Sequence, residues 1–400
     1  MSLQKKTKEL ADHILPEIIE IRRDIHQHPE LAFEEHRTSK MVGDWLEANG
    51  IEVRRYVAGT GIIGLLKGGT GNARTVALRA DMDALPITEN TGVSYVSTNH
   101  GKAHSCGHDG HTAVLMGAAK VLFSLRSQLK GNVKFIFQPA EEEGAGADKM
   151  CRDGALANPL VETIFALHSW PDLMVGEIGV RHGAMTSNSD LFEITVYGRG
   201  GHAAHPHRAI DPVVMAAKIV DTFQTIISRR ISPFAPAVIT IGKLQGGTAP
   251  NVIPDFVTME GTVRTLNQEI REKIFDSMKK IVHSVAAMYD APEPRIEFVM
   301  GCPATINDDR MADLVTTVGR QLLGENKVKI LPEASMGAED FSYYLENVPG
   351  ALFRLGVSSE KSPAAPIHSS HFDFNDDAIR TGILMMTSIP IALLNGMSGP

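Results

Sequence analysis

Hydrophobic positions in the first half of the chain switch between helical and strand spacing. From Leu3 to about Gly50, apolar residues recur at helical intervals, and Pro16 and Pro29 predict breaks in this helical region. Short apolar runs follow, and they alternate with a further helix. The predicted strands are Gly61–Leu66, Thr75–Ala80, Asn132–Phe137 and Glu162–Leu167, and the helix is Thr112–Leu125. Alternating strands and helices predict an α/β domain with a mainly parallel sheet flanked by helices.

The pattern changes after about Ser187, where strands and helices follow the order β-α-β-β-α-β. That order is the signature of the ferredoxin-like α+β fold. The predicted elements are Leu191–Tyr197, Asp211–Arg229, Ala237–Leu244, Asp255–Thr265, Asn267–Tyr289 and Arg295–Val299. We interpret this segment as an inserted second domain.

The remaining stretch returns to helices at Arg310–Leu323 and Ala338–Leu345 and a strand at Ala351–Leu355. These elements are expected to complete the first domain. The predicted division is therefore residues 1–186 and 301–400 for a catalytic domain, and 187–300 for the insert. An insert has both of its ends at one hinge, which suits a lid.

Composition narrows the class of protein. A chain of 400 residues with 43% hydrophobic and 22% charged residues is typical of a globular protein with more than one domain. The net charge of -8 without a basic block disfavours binding to nucleic acid or to an anionic membrane. No apolar run reaches the roughly 18–20 residues of a membrane span, and the charged N-terminal region is unlike a secretion signal. Three widely spaced cysteines indicate a reducing compartment, so we expect a soluble cytoplasmic protein.

Four predicted strands lead into acidic or metal-ligating residues. The runs that follow them contain Asp81 and Asp83, the segment Gln138–Glu143, His168, and, after a loop, His368 and His371. Each feature alone is more typical of a capped turn or a hydrogen-bonded histidine. Because ligand sites in open parallel sheets lie beyond the carboxyl ends of the strands, the four together predict one site at that edge.

The side chains expected at this edge suit metal-assisted hydrolysis. Histidines surround Cys106 in the segment His104–His111, so thiolate, imidazole and carboxylate ligands are all available, which zinc and neighbouring transition metals prefer. Metal ions polarise an amide carbonyl and lower the pKa of water, and a nearby carboxylate can then take the proton. Glu141 and Glu142 are adjacent, so one can bind metal while the other holds the water. Two metals need a bridging ligand, which a thiolate can supply.

Several longer motifs occur in order along nearly the whole chain. They are RADMDALPI at Arg79–Ile87, HSCGHDGHTA at His104–Ala113, QPAEEE at Gln138–Glu143, ALHSWP at Ala166–Pro171, GRGGHAAHPHRAIDP at Gly198–Pro212, GGTAPNVIP at Gly246–Pro254, GTVRT at Gly261–Thr265, GAEDFSYYLENVPG at Gly337–Gly350 and IHSSHFDF at Ile367–Phe374. With these motifs the chain resembles the hippurate hydrolase and auxin-amino-acid-conjugate hydrolase family. This family belongs to the larger group of di-metal aminoacylases and exopeptidases.

The resemblance implies a role for each matching residue. The implied metal ligands, for two divalent ions per subunit, are Cys106, His108, Glu142, His168 and His368. Cys106 would bridge the metals, Glu141 would be the general acid and base, and Asp83 would orient a ligand. The ions would be zinc or manganese, with cobalt or nickel as alternatives.

The resemblance also implies roles for the inserted domain, as a lid and as the contact of a homodimer. His202 and Asn251 would contact the substrate, with His202 reaching the active site of the partner subunit. Arg264 would pair with the substrate carboxylate, although a structural salt bridge is an equal alternative.

The implied reaction is hydrolysis of the amide bond of a small N-acyl-amino acid to a carboxylic acid and a free amino acid. A dipeptidase or carboxypeptidase with the same site is the alternative, as is a binding protein without turnover. Paired CxxC motifs of a structural zinc site are absent from the sequence. His371 stays an alternative to His368 as a ligand. Arg354, inside a predicted strand, either marks a substrate pocket or faces a charged neighbour.

Overall fold

The computed structural model describes residues 3–69 and 74–396. The chain divides into two compact units. The first comprises Met1–Met185, Ile306–Glu333 and Asp340–Pro400, and the second comprises Thr186–Thr305 and Ala334–Glu339. The second unit therefore interrupts the first in sequence.

The helices and strands were numbered along the chain. The helices are α1 (Leu3–Gln27), α2 (His36–Ala48), α3 (His108–Leu125), α4 (Gly146–Arg152), α5 (Pro212–Arg230), α6 (Gln268–Met288), α7 (Asp309–Leu323), α8 (Ser342–Leu345) and α9 (Asp377–Leu394). The strands are β1 (Glu52–Val57), β2 (Gly61–Leu66), β3 (Thr75–Asp81), β4 (Asn132–Gln138), β5 (Thr163–Met174), β6 (Ile178–Val180), β7 (Gly183–Thr186), β8 (Asp190–Tyr197), β9 (Gly201–His202), β10 (Ala237–Gly246), β11 (Val252–Ile253), β12 (Phe256–Thr265), β13 (Arg295–Val299), β14 (Thr305–Asn307), β15 (Val328–Ile330) and β16 (Gly350–Ser358).

The first unit is built on an eight-stranded sheet in the order β1-β2-β4-β3-β5-β16-β6-β15. Its central pairs, β4–β3, β3–β5 and β5–β16, are parallel. Successive residues of β5 enter different cores, because Phe165 and Leu167 pack with residues of α3 and α9 whereas Ile164 and Ala166 pack with residues of α4 and α8. The mainly parallel sheet flanked by helices is confirmed.

The second unit contains a four-stranded antiparallel sheet in the order β10-β12-β8-β13. Residues of α5 and α6 form one hydrophobic core with the inward-facing residues of this sheet. The connectivity and strand order are those of the ferredoxin-like fold. The prediction for this part of the chain is therefore confirmed.

Two local predictions are wrong. Pro16 does not break a helix, because it lies inside α1. Pro16 is on the exposed side of α1, so the carbonyl that its missing N–H leaves unpaired faces water, while buried residues such as Ile14 and Ile18 hold the helix against the core. In the segment Ala338–Leu345, only α8 is helical. The carboxylate of Asp340 accepts hydrogen bonds from Gln138 Nε2 and the amide of Ala147, which holds the preceding residues in an irregular conformation.

The sequence pattern also did not predict α9. This helix is long and apolar enough to cross a membrane by composition, but 72% of it is buried within the first unit. Its apolar residues belong to the same core as those of α1 and α3. A helix that is buried on nearly all sides lacks the two-sided pattern by which surface helices are recognised.

Candidate metal centre

The predicted metal ligands are carried by segments of the first unit that meet at one edge of the large sheet. Cys106 and Gly107 directly precede α3, whose first residue is His108. Glu141 and Glu142 follow β4, and His168 lies within β5. His368 lies in the loop between β16 and α9 and has a positive φ of 63°. Such a backbone conformation is uncommon for a residue other than glycine and is often found at functional sites.

These six side chains form one continuous cluster. Donor atoms lie within 4.8 Å of one another in three overlapping groups: Cys106, His108 and His168; Cys106, Glu142 and His368; and His108, Glu141 and Glu142. Cys106 Sγ is 3.4 Å from His168 Nε2, and Glu142 Oε2 is 3.4 Å from His368 Nε2. The structure thus brings together all five predicted ligands and the predicted acid/base Glu141.

The cluster fits a pair of metal ions. The buried atoms His108 Nε2 and Glu142 Oε1 have no hydrogen-bond partner among the described residues. Buried polar atoms without partners are rare, and a bound cation would satisfy both. Thiolate, imidazole and carboxylate groups, all of which these groups contain, are the usual ligands of zinc and related ions.

The hydrogen bonds of the histidines leave the correct nitrogen for metal. His108 Nδ1 donates to the carbonyl oxygen of Asp83 at 2.9 Å, and His168 Nδ1 donates to the carbonyl oxygen of Ser169 at 2.8 Å. In the neutral form of either ring the remaining nitrogen, Nε2, therefore carries the lone pair. Hydrogen bonds of this kind fix the tautomer and the ring orientation of metal-binding histidines.

Asp83 organises the two glutamates. Its two carboxylate oxygens accept hydrogen bonds from the backbone amides of Glu141 and Glu142, each at 3.0 Å. Asp83 Oδ1 also lies 3.3 Å from His108 Nδ1. Asp83 therefore holds the turn after β4 and one of the predicted ligands in a common arrangement.

Glu35 is a buried residue at this site that sequence reasoning missed. Its carboxylate accepts hydrogen bonds from the amide of Ala140 at 2.9 Å and from the hydroxyl of Thr60. Ala140 has a positive φ of 53°, so the turn before Glu141 depends on such support. Burial, together with the negative charge of Asp83, raises the pKa of Glu35 to about 7. No local spacing links Glu35 to a turn more than a hundred residues later.

The protein alone disfavours the ionised forms of two predicted ligands. Burial raises the pKa of the Cys106 thiol well above its usual value and raises the pKa of Glu142 to about 7. Metal ligands must lose their protons, so metal binding at this centre is expected to release protons.

The sequence left the roles of His371 and Arg354 open, and the two residues lie in different surroundings. His371 is exposed and its Nε2 is 3.2 Å from Asn90 Nδ2, whereas His368 belongs to the cluster. Arg354 is buried in β16, opposite His168 of β5. Its guanidinium carbon lies 4.0 Å from the centre of the Trp170 ring. The geometry favours His368 over His371 as a ligand.

The remaining predicted residues lie in the second unit. His202 is the second residue of β9, which pairs with β11, and the amide of Ala203 donates to the carbonyl oxygen of Asn251 at 3.1 Å. His202 and Asn251 are therefore close neighbours, and both are exposed. Arg264 lies in the other sheet of this unit, on β12, opposite Val238 of β10.

The chain is similar to known hydrolases over almost its whole length. Residues 77–391 match the model described as "Peptidase family M20/M25/M40". The chain is 38% identical to "N-acetyl-L-cysteine deacetylase" of Bacillus subtilis, over 86% of this chain and 81% of the relative. It is 41% identical to "IAA-amino acid hydrolase ILR1-like 2" of Arabidopsis thaliana, over 98% of this chain and 89% of the relative.

A solved structure is similar as well. It is that of the Bacillus subtilis YXEP protein, described as "a Dinuclear Metal Binding Peptidase from M20 Family". The two structures superpose with a TM-score of 0.85 and 35% sequence identity, over 96% of this chain and 99% of the other. The segment matched by the family model contains all five predicted metal ligands.

Proposed function

The chain belongs to peptidase family M20/M25/M40, and from this membership we propose that it is a two-metal amidohydrolase acting on N-acyl-amino acids. Its products would be a carboxylic acid and a free amino acid. The names of two relatives support this substrate class, since one is a deacetylase of N-acetyl-L-cysteine and the other a hydrolase of an IAA-amino acid. The observation that carries the proposal is the position of Glu141, a carboxylate beside the ligand cluster.

Cys106, His108, Glu142, His168 and His368 would hold the two ions. Ions bound there would polarise the amide carbonyl and lower the pKa of a water molecule. Glu141 would take a proton from the attacking water and deliver it to the leaving nitrogen. Asp83 would keep Glu141 in reach by binding its backbone amide, at 3.0 Å.

We assign the ions to zinc or manganese, with cobalt and nickel as alternatives. The Cys106 thiolate favours zinc, while the carboxylate of Glu142 suits either ion. All three cysteines are free thiols. A cytoplasmic location is proposed because Cys106 must stay reduced to bind metal.

We further propose that the inserted domain, residues 187–300, is a lid through which two subunits form a homodimer. The edge strands of its sheet, β10 and β13, can each pair with another copy. His202 and Asn251 would contact the substrate, and Arg264 would pair with its carboxylate. His202 would serve the metals of the partner subunit and stabilise the oxyanion.

Subunit mixing tests this arrangement. His202→Ala and Glu141→Gln should each bind metal and turn over poorly, and a mixture should regain part of the activity, because one site of the mixed dimer has both residues intact. After verified subunit exchange, no recovery would disprove the shared site without affecting the amidohydrolase proposal.

A dipeptidase or carboxypeptidase activity of the same centre is the second candidate, because the similar YXEP protein is described as a peptidase. A binding protein without turnover is disfavoured by Glu141, since a binding site has no need of a spare carboxylate beside its ligands. Hydrolysis of acetyl-, benzoyl- and indoleacetyl-amino acids, compared with dipeptides of the same amino acids, decides between the candidates. We expect the acylated amino acids to be hydrolysed faster than the dipeptides.

The role of metal is tested on the same substrates. Chelation should abolish hydrolysis, and added zinc, manganese, cobalt or nickel should restore it. Glu141→Gln should keep both ions and lose about 10²–10⁴-fold in kcat, whereas Glu142→Gln should lose metal. Glu143→Gln is the matched control, because Glu143 belongs to the same run and is exposed. Full activity in verified metal-free protein would refute the mechanism, and exchanged phenotypes of the two variants would reverse their roles.

A further inference from the structure

His111 lies close enough to the cluster to be mistaken for a metal ligand. It follows His108 by one turn of α3 and is buried, with 1% of its surface exposed. Donor atoms of Asp81, His108 and His111 all lie within 4.8 Å of one another. Position alone would therefore allow a metal bound by these three residues.

The hydrogen bonds of His111 exclude this. The backbone amide of Ser169 donates to His111 Nε2 at 2.8 Å, so this nitrogen carries the lone pair of the ring. The proton is then on Nδ1, which donates to Asp81 Oδ1 at 2.7 Å. A neutral imidazole has one N–H and one lone pair, and both are used. His111 has no lone pair left for a metal.

Ser169, the residue whose amide donates to His111, also contacts two predicted ligands. Its carbonyl oxygen accepts the hydrogen bond from His168 Nδ1 at 2.8 Å, and its hydroxyl donates to the carbonyl oxygen of Cys106 at 2.7 Å. Through these bonds Ser169 sets how His168 Nε2 faces Cys106 Sγ, 3.4 Å away. His111 in turn holds the backbone of Ser169.

Asp81, which accepts the hydrogen bond from His111 Nδ1, belongs to the large sheet. It is the last residue of β3 and is completely buried. Its Oδ2 accepts from Arg79 Nη1 at 2.6 Å, and its carbonyl oxygen accepts from the hydroxyl of Thr112 at 2.8 Å. Asp81 is thereby fixed independently of His111.

We propose that Asp81, His111 and Ser169 form a positioning chain that orients Cys106 and His168 for metal, and that His111 is not itself a ligand. This inference rests on the proposed two-metal centre. Groups that orient metal ligands in this way typically contribute about 10–100-fold in metal affinity. We expect a loss of that size when the chain is broken at His111, with both ions still bound at saturation.

The experiment compares His111→Leu, His111→Gln and the control His104→Leu. His104 is as buried as His111 and lies in the same segment, but its ring nitrogens have no hydrogen-bond partner among the described residues. Zinc affinity is measured by competition with a chelator, the number of ions by elemental analysis, and thiolate coordination by the absorption spectrum of the cobalt-loaded protein. His111→Leu should bind zinc about 10–100-fold more weakly than His104→Leu. His111→Gln should recover most of this loss, because its amide can donate to Asp81 and accept from Ser169.

Three results would overturn the proposal. Loss of one ion in both His111 variants at saturating zinc would make His111 a ligand. Equal affinities of His111→Leu and His104→Leu would leave His111 only a packing role. Equal affinities of His111→Leu and His111→Gln would show that the hydrogen bonds are not the cause of the loss.

If His111→Leu does not fold, Ser169→Ala is the second test, because it deletes only the bond to Cys106. It should weaken zinc binding and shift the cobalt–thiolate absorption, and an unchanged spectrum and affinity would refute the chain. Wild-type protein that binds two ions as expected but hydrolyses no amide would refute the proposed function alone.

Discussion

The buried imidazole of His26 is expected to make the stability of the first unit depend on pH. His26, near the end of α1, lies between two carboxylates: its Nδ1 is 2.8 Å from Asp109 Oδ2, and its Nε2 is 3.1 Å from Glu89 Oε1. Ionised carboxylates only accept hydrogen bonds, so Asp109 and Glu89 favour a proton on both ring nitrogens, whereas Arg22 Nη2, a donor 3.3 Å from Nδ1, opposes it. Burial and the charge of Arg22 disfavour the imidazolium, but the bonds to Asp109 and Glu89 outweigh them and raise the pKa of His26 to about 9.

The size and the sign of the effect follow from this pKa. The ordinary value of 6.5 applies to the unfolded chain, so folding changes the pKa by about 2.5 pH units, which corresponds to roughly 3 kcal/mol. Because the pKa is higher in the folded protein, this contribution is fully present below pH 6.5. It is lost progressively as the pH rises through 9.

The perturbation that reveals it is His26→Gln, measured by urea unfolding between pH 6 and pH 10. The tryptophans of the chain, Trp45 and Trp170, both lie in the first unit, so their fluorescence reports the unfolding of that unit. The measured quantity is the free energy of unfolding of the wild type minus that of the variant. This difference should be larger at pH 6 than at pH 10 by roughly 3 kcal/mol. Taking the difference between the two proteins removes the pH dependence of the proposed metal ligands, which are the same in both.

His28→Gln is the matched control, because His28 follows α1 directly, is only half-buried and bonds to the carbonyl oxygen of Asp24. Its difference from the wild type between pH 6 and pH 10 is the baseline against which His26→Gln is compared. A constant difference for His26→Gln between pH 6 and pH 10, or one that grows as the pH rises, would show that His26 is not held as an imidazolium.

Three further substitutions have defined outcomes. Gly107→Ala should lower both the midpoint of thermal unfolding and the zinc affinity, because the added Cβ would lie 2.7 Å from Ser169 Oγ. Gly59→Ala is the control: Gly59 also has a positive φ, but no atom lies near its added Cβ, so this variant should lower only the thermal midpoint. Lys134 Nζ donates to three backbone carbonyls, so Lys134→Met would leave these carbonyls without their donor and should lower the free energy of unfolding in urea by about 2–4 kcal/mol. An unchanged urea midpoint would contradict this. Pro16→Ala should raise the free energy of unfolding by about 1–3 kcal/mol, since it restores a hydrogen bond within α1, and a lower value would show that the proline is favourable there.

The sequence predicted what local pattern and motif spacing determine. Strand β2 has the predicted bounds Gly61–Leu66, because a run of apolar residues between turns is a local signal. The gathering of Cys106 and His168 could be expected because both lie at one edge of a parallel sheet.

What the sequence did not predict depends on contacts between distant segments. Glu35 supports Ala140, and His26 bonds to Asp109, only because folding places α1 and the loop after it beside the turn following β4 and the start of α3. Neither contact has a fixed spacing along the chain. The helix α9 escaped prediction for a different reason, since burial on most of its surface removes the polar face that marks a helix.

The order in which the ligands occur along the chain has a consequence for biosynthesis. Cys106, His108, Glu142 and His168 are all translated before the second unit, and His368 is translated after it. While the ribosome makes residues 186–305, the nascent chain therefore carries four of the five proposed ligands without His368, the fifth. The core face of α3 is also incomplete until α9 has been made. A free thiol and three other proposed metal-binding groups are thus present throughout the synthesis of the second unit, and Cys106 has to stay reduced over that whole interval if it is to bind metal.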